Sequence, residues 1–294
     1  MNQTVKIALI QQSCSADRKE NQAKSILKIK EASKNGAKLV VLQELHSSLY
    51  FCQSEDTKKF DLGETIPGPS TELFGKVAKE MGVVLVLSLF EKRAKGLYHN
   101  TAAVIENDGS LAGIYRKMHI PDDPGFYEKF YFTPGDIGFK PVQTSLGKLG
   151  VLVCWDQWYP EAARIMALKG AELLIYPTAI GWDPKDSMDE KKRQLEAWIT
   201  IQRSHAIANG IPLLAVNRVG LESDDSGSEI LFWGNSFAAG AQGEFLAQAA
   251  HQEETVLYAD LNLERTEEVR RIWPFLRDRR IDFYQDVANR YLER

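Results

Sequence analysis

Short apolar runs alternate with helix-patterned segments along most of this 294-residue chain, and that alternation limits its fold more than any other feature. Lys6-Ile-Ala-Leu-Ile10, residues 38–44, 83–90, 150–154, 173–176 and 212–216 read as strands. The run 83–90 among them is expected to be a buried strand. Between them, Asp17 and Glu20 resemble a capping box opening a helix that Gly36 ends. Leu73, Phe74, Val77, Ala78 and Met81 have helical spacing, with Gly82 as the stop. Further helices are predicted near residues 160–168 and 188–208, and further strands at 232–238 and 255–259. Asn107-Asp-Gly109, between the runs 100–105 and 111–115, is a hairpin signal that adds antiparallel pairing to a βαβ-like chain. Two βα halves, each supplying a sheet, predict an α/β four-layer α-β-β-α sandwich: sheets face to face, helices outside.

The connections are short and none is of low complexity, so residues 1–262 are expected to form a single domain. Residues 263–294 differ. Trp273-Pro-Phe275, Phe283, Tyr284 and Tyr291 put many rings in a charged segment, which predicts a C-terminal tail that docks on its own body or at an oligomer interface.

With 44% apolar and 26% charged residues the composition is globular. A net charge of −4 with scattered Lys and Arg gives no track for nucleic acid. The longest apolar run is far below the ~18–20 residues of a membrane span, and the start lacks a basic then apolar leader. No membrane association and a cytoplasmic location are expected. Three cysteines, Cys14, Cys52 and Cys154, without CxxC spacing imply neither a disulfide framework nor a thiolate metal site. The five histidines form no HxxxH or HExxH pattern, so no metal and no cofactor are expected.

Three apolar runs end in a reactive side chain. Gly150-Val-Leu-Val-Cys154 ends in a thiol, Lys38-Leu-Val-Val-Leu-Gln-Glu44 in a carboxylate and Ala112-Gly-Ile-Tyr-Arg-Lys117 in an amine. Strand ends of α/β sheets converge on a crevice, so the three groups are expected to meet as nucleophile, base and charge stabiliser. Taken singly, Cys154 reads as a small buried hydrophobe and Glu44 and Lys117 as an ion pair; together they read as chemistry. A helix following Cys154 is expected to favour its thiolate. Cys14 and Cys52, in polar loop contexts, read as incidental thiols.

Gln43-Glu44, Tyr115-Arg-Lys-Met-His-Ile-Pro121 and Cys154-Trp-Asp-Gln-Trp-Tyr-Pro-Glu-Ala-Ala-Arg164 resemble the three signature segments of the nitrilase, or carbon–nitrogen hydrolase, superfamily. Leu42-Gln43 stands where many relatives have Phe-Pro. The resemblance spans about residues 5–262 and implies the nitrilase-type sandwich. Within the superfamily, residues 122–136, 176–184 and 275–280 are most similar to the branch that hydrolyses N-carbamoylputrescine to putrescine, carbon dioxide and ammonia in polyamine synthesis. It implies Cys154 as nucleophile, Glu44 as general base, and Lys117 with the Trp155 backbone N–H as oxyanion donors. It also implies Glu128 as a second glutamate that positions the substrate or the lysine. Homo-oligomers built from dimers are expected on the same ground.

Tyr50, Trp155, Trp182 and Asp183 are candidate walls of the substrate site, and Asp122, Asp123 and Asp186 candidate partners for a distal ammonium. Each acid reads equally as a solvated loop carboxylate, and the aromatic residues as core. An N-carbamoyl amino acid, a β-ureido acid or a simple amide remains an alternative substrate. A catalytically silent binding protein is the alternative of another class.

Overall fold

In the computed structural model, residues 4–224 and 226–292 are described. Residues 1–3 of the expected leaderless start and the last two residues of the tail lie outside the described residues. The first sheet is built from β1 (Thr4–Gln11), β2 (Leu39–Leu42), β3 (Val84–Ala94), β4 (Leu97–Ile105) and β5 (Leu111–Arg116). The second half supplies β6 (Val142–Thr144), β7 (Gly147–Val151), β8 (Leu173–Thr178), β9 (Gly181–Trp182), β10 (Leu213–Asn217), β11 (Val219–Ser223), β12 (Glu229–Trp233), β13 (Phe237–Ala239), β14 (Phe245–Gln248) and β15 (Thr255–Asn262). The sheets run β15-β1-β2-β3-β4-β5 and β14-β13-β10-β8-β7-β6, with a small third sheet β11-β12-β9. Each large sheet has a parallel centre, β1-β2-β3 in one and β10-β8-β7 in the other, flanked by antiparallel edges.

The two-residue period of the strands decides the layers. In β1, Val5, Ile7 and Leu9 belong to the cluster shared with the second sheet, among Val151, Ile175 and Leu213. Ala8 and Ile10 turn the other way, onto a cluster with Ile29, Ala32, Phe74, Val77 and Ala78. Those residues come from α1 (Arg18–Lys34) and α2 (Pro69–Met81). After the four-residue α3 (Glu128–Tyr131), α4 (Pro160–Leu168) and α5 (Met188–Asn209) cover the outer face of the second sheet through Ala163, Met166, Trp198 and Ala206. Helix, sheet, sheet, helix is the architecture expected from the alternation. With both faces of the central strands buried, the strands had to read as unbroken apolar runs.

Local signals differ from the sequence reading in three places. Asp17 caps α1 by accepting the N–H groups of Lys19 and Glu20 at 2.7 and 3.3 Å, but Glu20 turns to Ser15 Oγ at 2.6 Å, so only half of the capping box forms. The strand read across residues 232–238 is two, because Gly234 and Asn235 both take positive φ, 56° and 54°, and turn the chain between β12 and β13. The run 150–154 leaves the sheet at Val151, which frees Cys154 from strand geometry. The hairpin forms as expected, with Ile105 paired to Leu111. Gly109 in its turn has φ +89°, and a Cβ there would lie 2.5 Å from the Gly75 carbonyl oxygen of α2, so only glycine fits.

Past β15, α6 (Arg265–Ile272) buries Val269, and Arg270 donates to the Asn209 carbonyl oxygen at the end of α5 at 2.9 Å. Tyr284, Val287 and Ala288 of the tail help enclose a hollow of about 640 Å³ over α4 and α5. The remaining rings stay open: Phe283 is 70% and Tyr291 83% exposed. No helix among the described residues is long and apolar enough to cross a membrane.

Candidate active site

Glu44, Lys117 and Cys154 each lie just past a strand end, after β2, β5 and β7, and all three are buried. Facing sheets bring these ends together: the Glu44 N–H donates to the Thr178 carbonyl oxygen at the end of β8 at 3.3 Å. Lys117 Nζ lies 2.8 Å from Glu44 Oε1 and 2.6 Å from Glu128 Oε2. Asn100 Nδ2 donates to the same Glu44 oxygen at 2.6 Å, while Glu44 Oε2 has no hydrogen-bond partner among the described residues. Glu128 opens α3 and is fully buried; its Oε1 accepts the Tyr50 hydroxyl at 2.8 Å. Gly135 allows this packing, since its N–H donates to the Lys117 carbonyl oxygen at 2.8 Å and a Cβ would lie 2.1 Å from that of Arg116.

Cys154 lies just before the helix that the sequence reading opened near Pro160. It begins a single 3-10 turn, Cys154–Trp158, with φ +43°, and α4 starts only at Pro160. Leu45, next to Glu44, has φ +49°. Two non-glycine residues in the left-handed region, both at the site, mark backbone that the surroundings must enforce. The expectation that a helix favours the thiolate is corrected accordingly. Burial pushes the Cys154 thiol well above its usual range, Glu44 adds to this, Lys117 opposes it, and Glu128 raises it further. In the resting site the sulfur therefore carries its proton. Burial also works against the Lys117 ammonium, but Glu128 and Glu44 outweigh it and hold the lysine charged. Burial raises Glu128, with Lys117 pulling it back and Glu44 pushing it further up.

Cys154 and Glu128 reach the floor of a cavity of about 440 Å³. Phe126, Trp155, Trp158 and Trp233 supply its aromatic walls, and Asp123, Asp183 and Asp186 its other acids. An outer hollow of about 600 Å³ shares Pro124, Phe126 and Asp183 with it and adds Glu55 and Glu229. Of the residues expected at the walls, Trp155, Asp183, Asp123 and Asp186 line the cavity. Tyr50 does not: it is only 1% exposed and spends its hydroxyl on Glu128, behind the lysine. Trp182 does not either, being packed on Trp233 with its indole N–H donated to the Lys191 carbonyl oxygen. Asp122 lies outside the cavity, half-exposed and 4.0 Å from Lys129. Cys52 is not in a polar loop but fully buried in an aromatic cluster with Phe51 and Phe90, where burial and then Glu128 push its thiol well up. Cys14 is mostly buried, with Sγ 3.3 Å from the His46 carbonyl oxygen. Among the described residues no group of three or more His, Cys, Asp or Glu is arranged to hold a metal ion.

Residues that sequence reasoning passed over complete the site. Asn100 was read only as strand; the signal was an amide opening an otherwise apolar run. Asp156 was read only as part of a motif. Its carboxylate accepts the Val153 N–H at 2.9 Å, the Tyr115 hydroxyl at 2.9 Å and the His119 N–H at 3.1 Å, tying the Cys154 turn to the segment that carries Lys117. Arg218 gave no sequence signal, because three of the four acceptors of its guanidinium are backbone carbonyls distant in sequence.

Known proteins resemble this chain over nearly its whole length. A family model described as carbon–nitrogen hydrolase matches residues 6–271. The N-carbamoylputrescine amidase of Solanum lycopersicum is 44% identical over 288 residues, covering 97% of this chain and 95% of that protein. The citrullinase of Francisella tularensis subsp. tularensis is 42% identical over 292 residues, 98% of this chain and 99% of that one. A crystal structure of a carbon–nitrogen hydrolase from Helicobacter pylori G27 matches with a TM-score of 0.96 at 61% identity, covering 98% of this chain and all of that one, 100%. The chain belongs to the carbon–nitrogen hydrolase family. It is accordingly an enzyme that hydrolyses the carbon–nitrogen bonds of amides or ureides, on the nitrilase-type α-β-β-α sandwich.

Proposed function

We propose that this enzyme hydrolyses the ureido group of N-carbamoylputrescine, with Cys154 as nucleophile, Glu44 as general base and Lys117 as oxyanion donor. The carrying observation is a cavity lined by the Cys154 thiol whose other ionisable lining residues, Glu128, Asp123, Asp183 and Asp186, are all acids, with the buried Lys117 ammonium paired to both Glu128 and Glu44. A protonated diamine tail suits such walls. Citrulline, the substrate class named for one relative, carries a carboxylate that would call for a guanidinium or ammonium there.

The chemistry follows from the resting charges. Cys154 passes its proton to Glu44 as the sulfur attacks the carbamoyl carbon. A ureido carbon is a weak electrophile because two nitrogens donate into it, so the nascent oxyanion needs the fixed positive charge of Lys117 and the Trp155 backbone N–H. One such donor is worth about 2.7–4 kcal/mol in related chemistry. The adduct collapses as the C–N bond to the diamine breaks and the leaving nitrogen takes the proton from Glu44. A carbamoyl group remains on sulfur. Water, giving its proton to Glu44, attacks that carbonyl; the C–S bond breaks, the sulfur regains a proton, and the released carbamic acid separates into carbon dioxide and ammonia. Glu128 keeps Lys117 charged and in place. This reading puts the reaction in polyamine synthesis.

Turnover of N-carbamoylputrescine, citrulline and N-carbamoyl-β-alanine by pure enzyme, compared as kcat/KM, tests the assignment; preference for either carboxylate-bearing substrate refutes it. The proposal extends to assembly from dimers through the tail, whose open Phe283 and Tyr291 rings support it. Native mass measurement with and without residues 273–294 reads that out, and an unchanged mass refutes a tail-mediated contact.

A further inference from the structure

Arg218, directly after β10, is fully buried, and its fork is spent on the backbone around the base. Nη2 donates to the carbonyl oxygens of Glu44 at 3.0 Å and Leu45 at 2.9 Å. Nη1 donates to the Ser48 carbonyl oxygen at 2.9 Å and to Glu222 Oε1 at 2.7 Å. Glu222 lies on β11, and its Oε2 accepts the Tyr50 N–H at 2.7 Å. The Tyr50 hydroxyl in turn donates to Glu128. A single buried ion pair from the second half of the chain thus grips residues 44–50 at both ends. Through Tyr50 it also reaches the second carboxylate of Lys117.

The backbone it grips is one that needs holding. Leu45 has φ +49°, a conformation that L side chains rarely adopt, and the Glu44 and Leu45 carbonyls that Arg218 binds stand on either side of its α-carbon. On the other side the Leu45 N–H donates to Ser88 Oγ at 3.1 Å. If Leu45 relaxes toward ordinary backbone, the plane of the preceding peptide rotates and carries Glu44 with it. A guanidinium can donate two parallel bonds where an ammonium is a single compact charge, so lysine cannot reproduce the grip.

We propose that Arg218 and Glu222 are a positioning pair that sets how Glu44 and Glu128 approach Lys117, so that the second sheet fixes the base carried by the first. The proposal rests on the reading of Glu44 as the base.

The test uses the full chain with Arg218→Lys, which keeps the charge facing Glu222, and the double variant Arg218→Met/Glu222→Gln. The double variant removes both buried charges while a glutamine oxygen can still accept the Tyr50 N–H. The expected result is kcat lower by roughly ten- to hundredfold, per titrated Cys154, as for an ångström-scale misplacement of a catalytic group. KM is expected to stay within about threefold and the limb of the kcat–pH profile that belongs to the base to move, because the loss falls on the transition state rather than on substrate binding. A merely structural role would lower the yield of folded enzyme without moving either readout. Wild-type kcat per titrated thiol with an unchanged pH profile, in either folded variant, overturns the proposal. Failure of both variants to melt cooperatively assigns the pair to folding and overturns it equally. Glu44→Gln, measured alongside, separates the two readings: if it keeps turnover, the base assignment falls whatever Arg218→Lys does.

Discussion

Lys117 and Glu128 form a fully buried ion pair, 2.6 Å between Nζ and Oε2, alongside the 2.8 Å pair that the same ammonium makes with Glu44. One cation thus stands between two carboxyl groups, of which burial pushes Glu128 above its usual range. Burial, and after it Glu44, hold the Cys154 thiol above its usual range against the pull of Lys117, so in the proposed mechanism a base acts during attack rather than before it.

Replacing Glu128 with glutamine removes one of the lysine's two anions. Stability is expected to fall by less than the ~3–5 kcal/mol of a buried pair broken outright, because Glu44 still compensates the charge. The freed ammonium is expected to settle against Glu44 and hinder its proton transfers, lowering kcat by roughly tenfold or more. Unchanged kcat in folded Glu128→Gln would remove Glu128 from the mechanism.

Cys154→Ser is expected to lose at least about a thousandfold in kcat while melting like the parent, since a hydroxyl occupies nearly the same space but is a far weaker nucleophile near neutral pH. Alkylation of the free enzyme by iodoacetamide is expected to keep accelerating above pH 9, because burial and Glu44 hold the thiol up. Glu44→Gln removes the base that takes the thiol proton during attack, so it is expected to turn over no substrate. Substantial turnover by Glu44→Gln would contradict the base assignment.

Asp183 sits where the inner cavity meets the outer hollow. Asp183→Asn is expected to lower kcat/KM for N-carbamoylputrescine by about tenfold, equivalent to about 1.4 kcal/mol, and to leave neutral amides unaffected. Equal losses on both substrates would point to a change in cavity shape rather than charge.

His46 is fully buried and neutral; burial, then Arg218 and Arg18, lower its pKa to about 3. In the unfolded chain it would take a proton below about pH 6.5. The unfolded state therefore gains protons first on acidification, so the His46 contribution is intact above pH 6.5 and is lost progressively down to about pH 3. At pH 5 the loss is about 2 kcal/mol. Urea midpoints for the parent and His46→Phe at pH 7 and pH 5 measure it: the variant is expected to lose less on acidification. An identical loss in both proteins would show that His46 is not the group responsible.

The layered fold was legible because burial on both faces of the central strands leaves unbroken apolar runs, as at residues 39–42 and 173–176, and because Gly82 and Gly109 stand where left-handed backbone is needed. Glu44 and Cys154 were legible because each follows such a run, and Lys117 because it follows the half-buried edge strand β5. Tyr50 and Trp182 were misplaced because nearness to a motif does not say which way a ring points; one braces Glu128, and the other packs into the core. Cys52 was misread because its polar neighbours in sequence are not its neighbours in space.

By itself the sequence determined which side chains end the buried strands, and hence that an acid, an amine and a thiol were available to one crevice. Only the tertiary structure decided their charge states and who holds them. Desolvation and Coulomb interaction depend on distances across two facing sheets, as between Lys117 and Glu128. Arg218 grips backbone carbonyls, which carry no residue identity for a sequence to display.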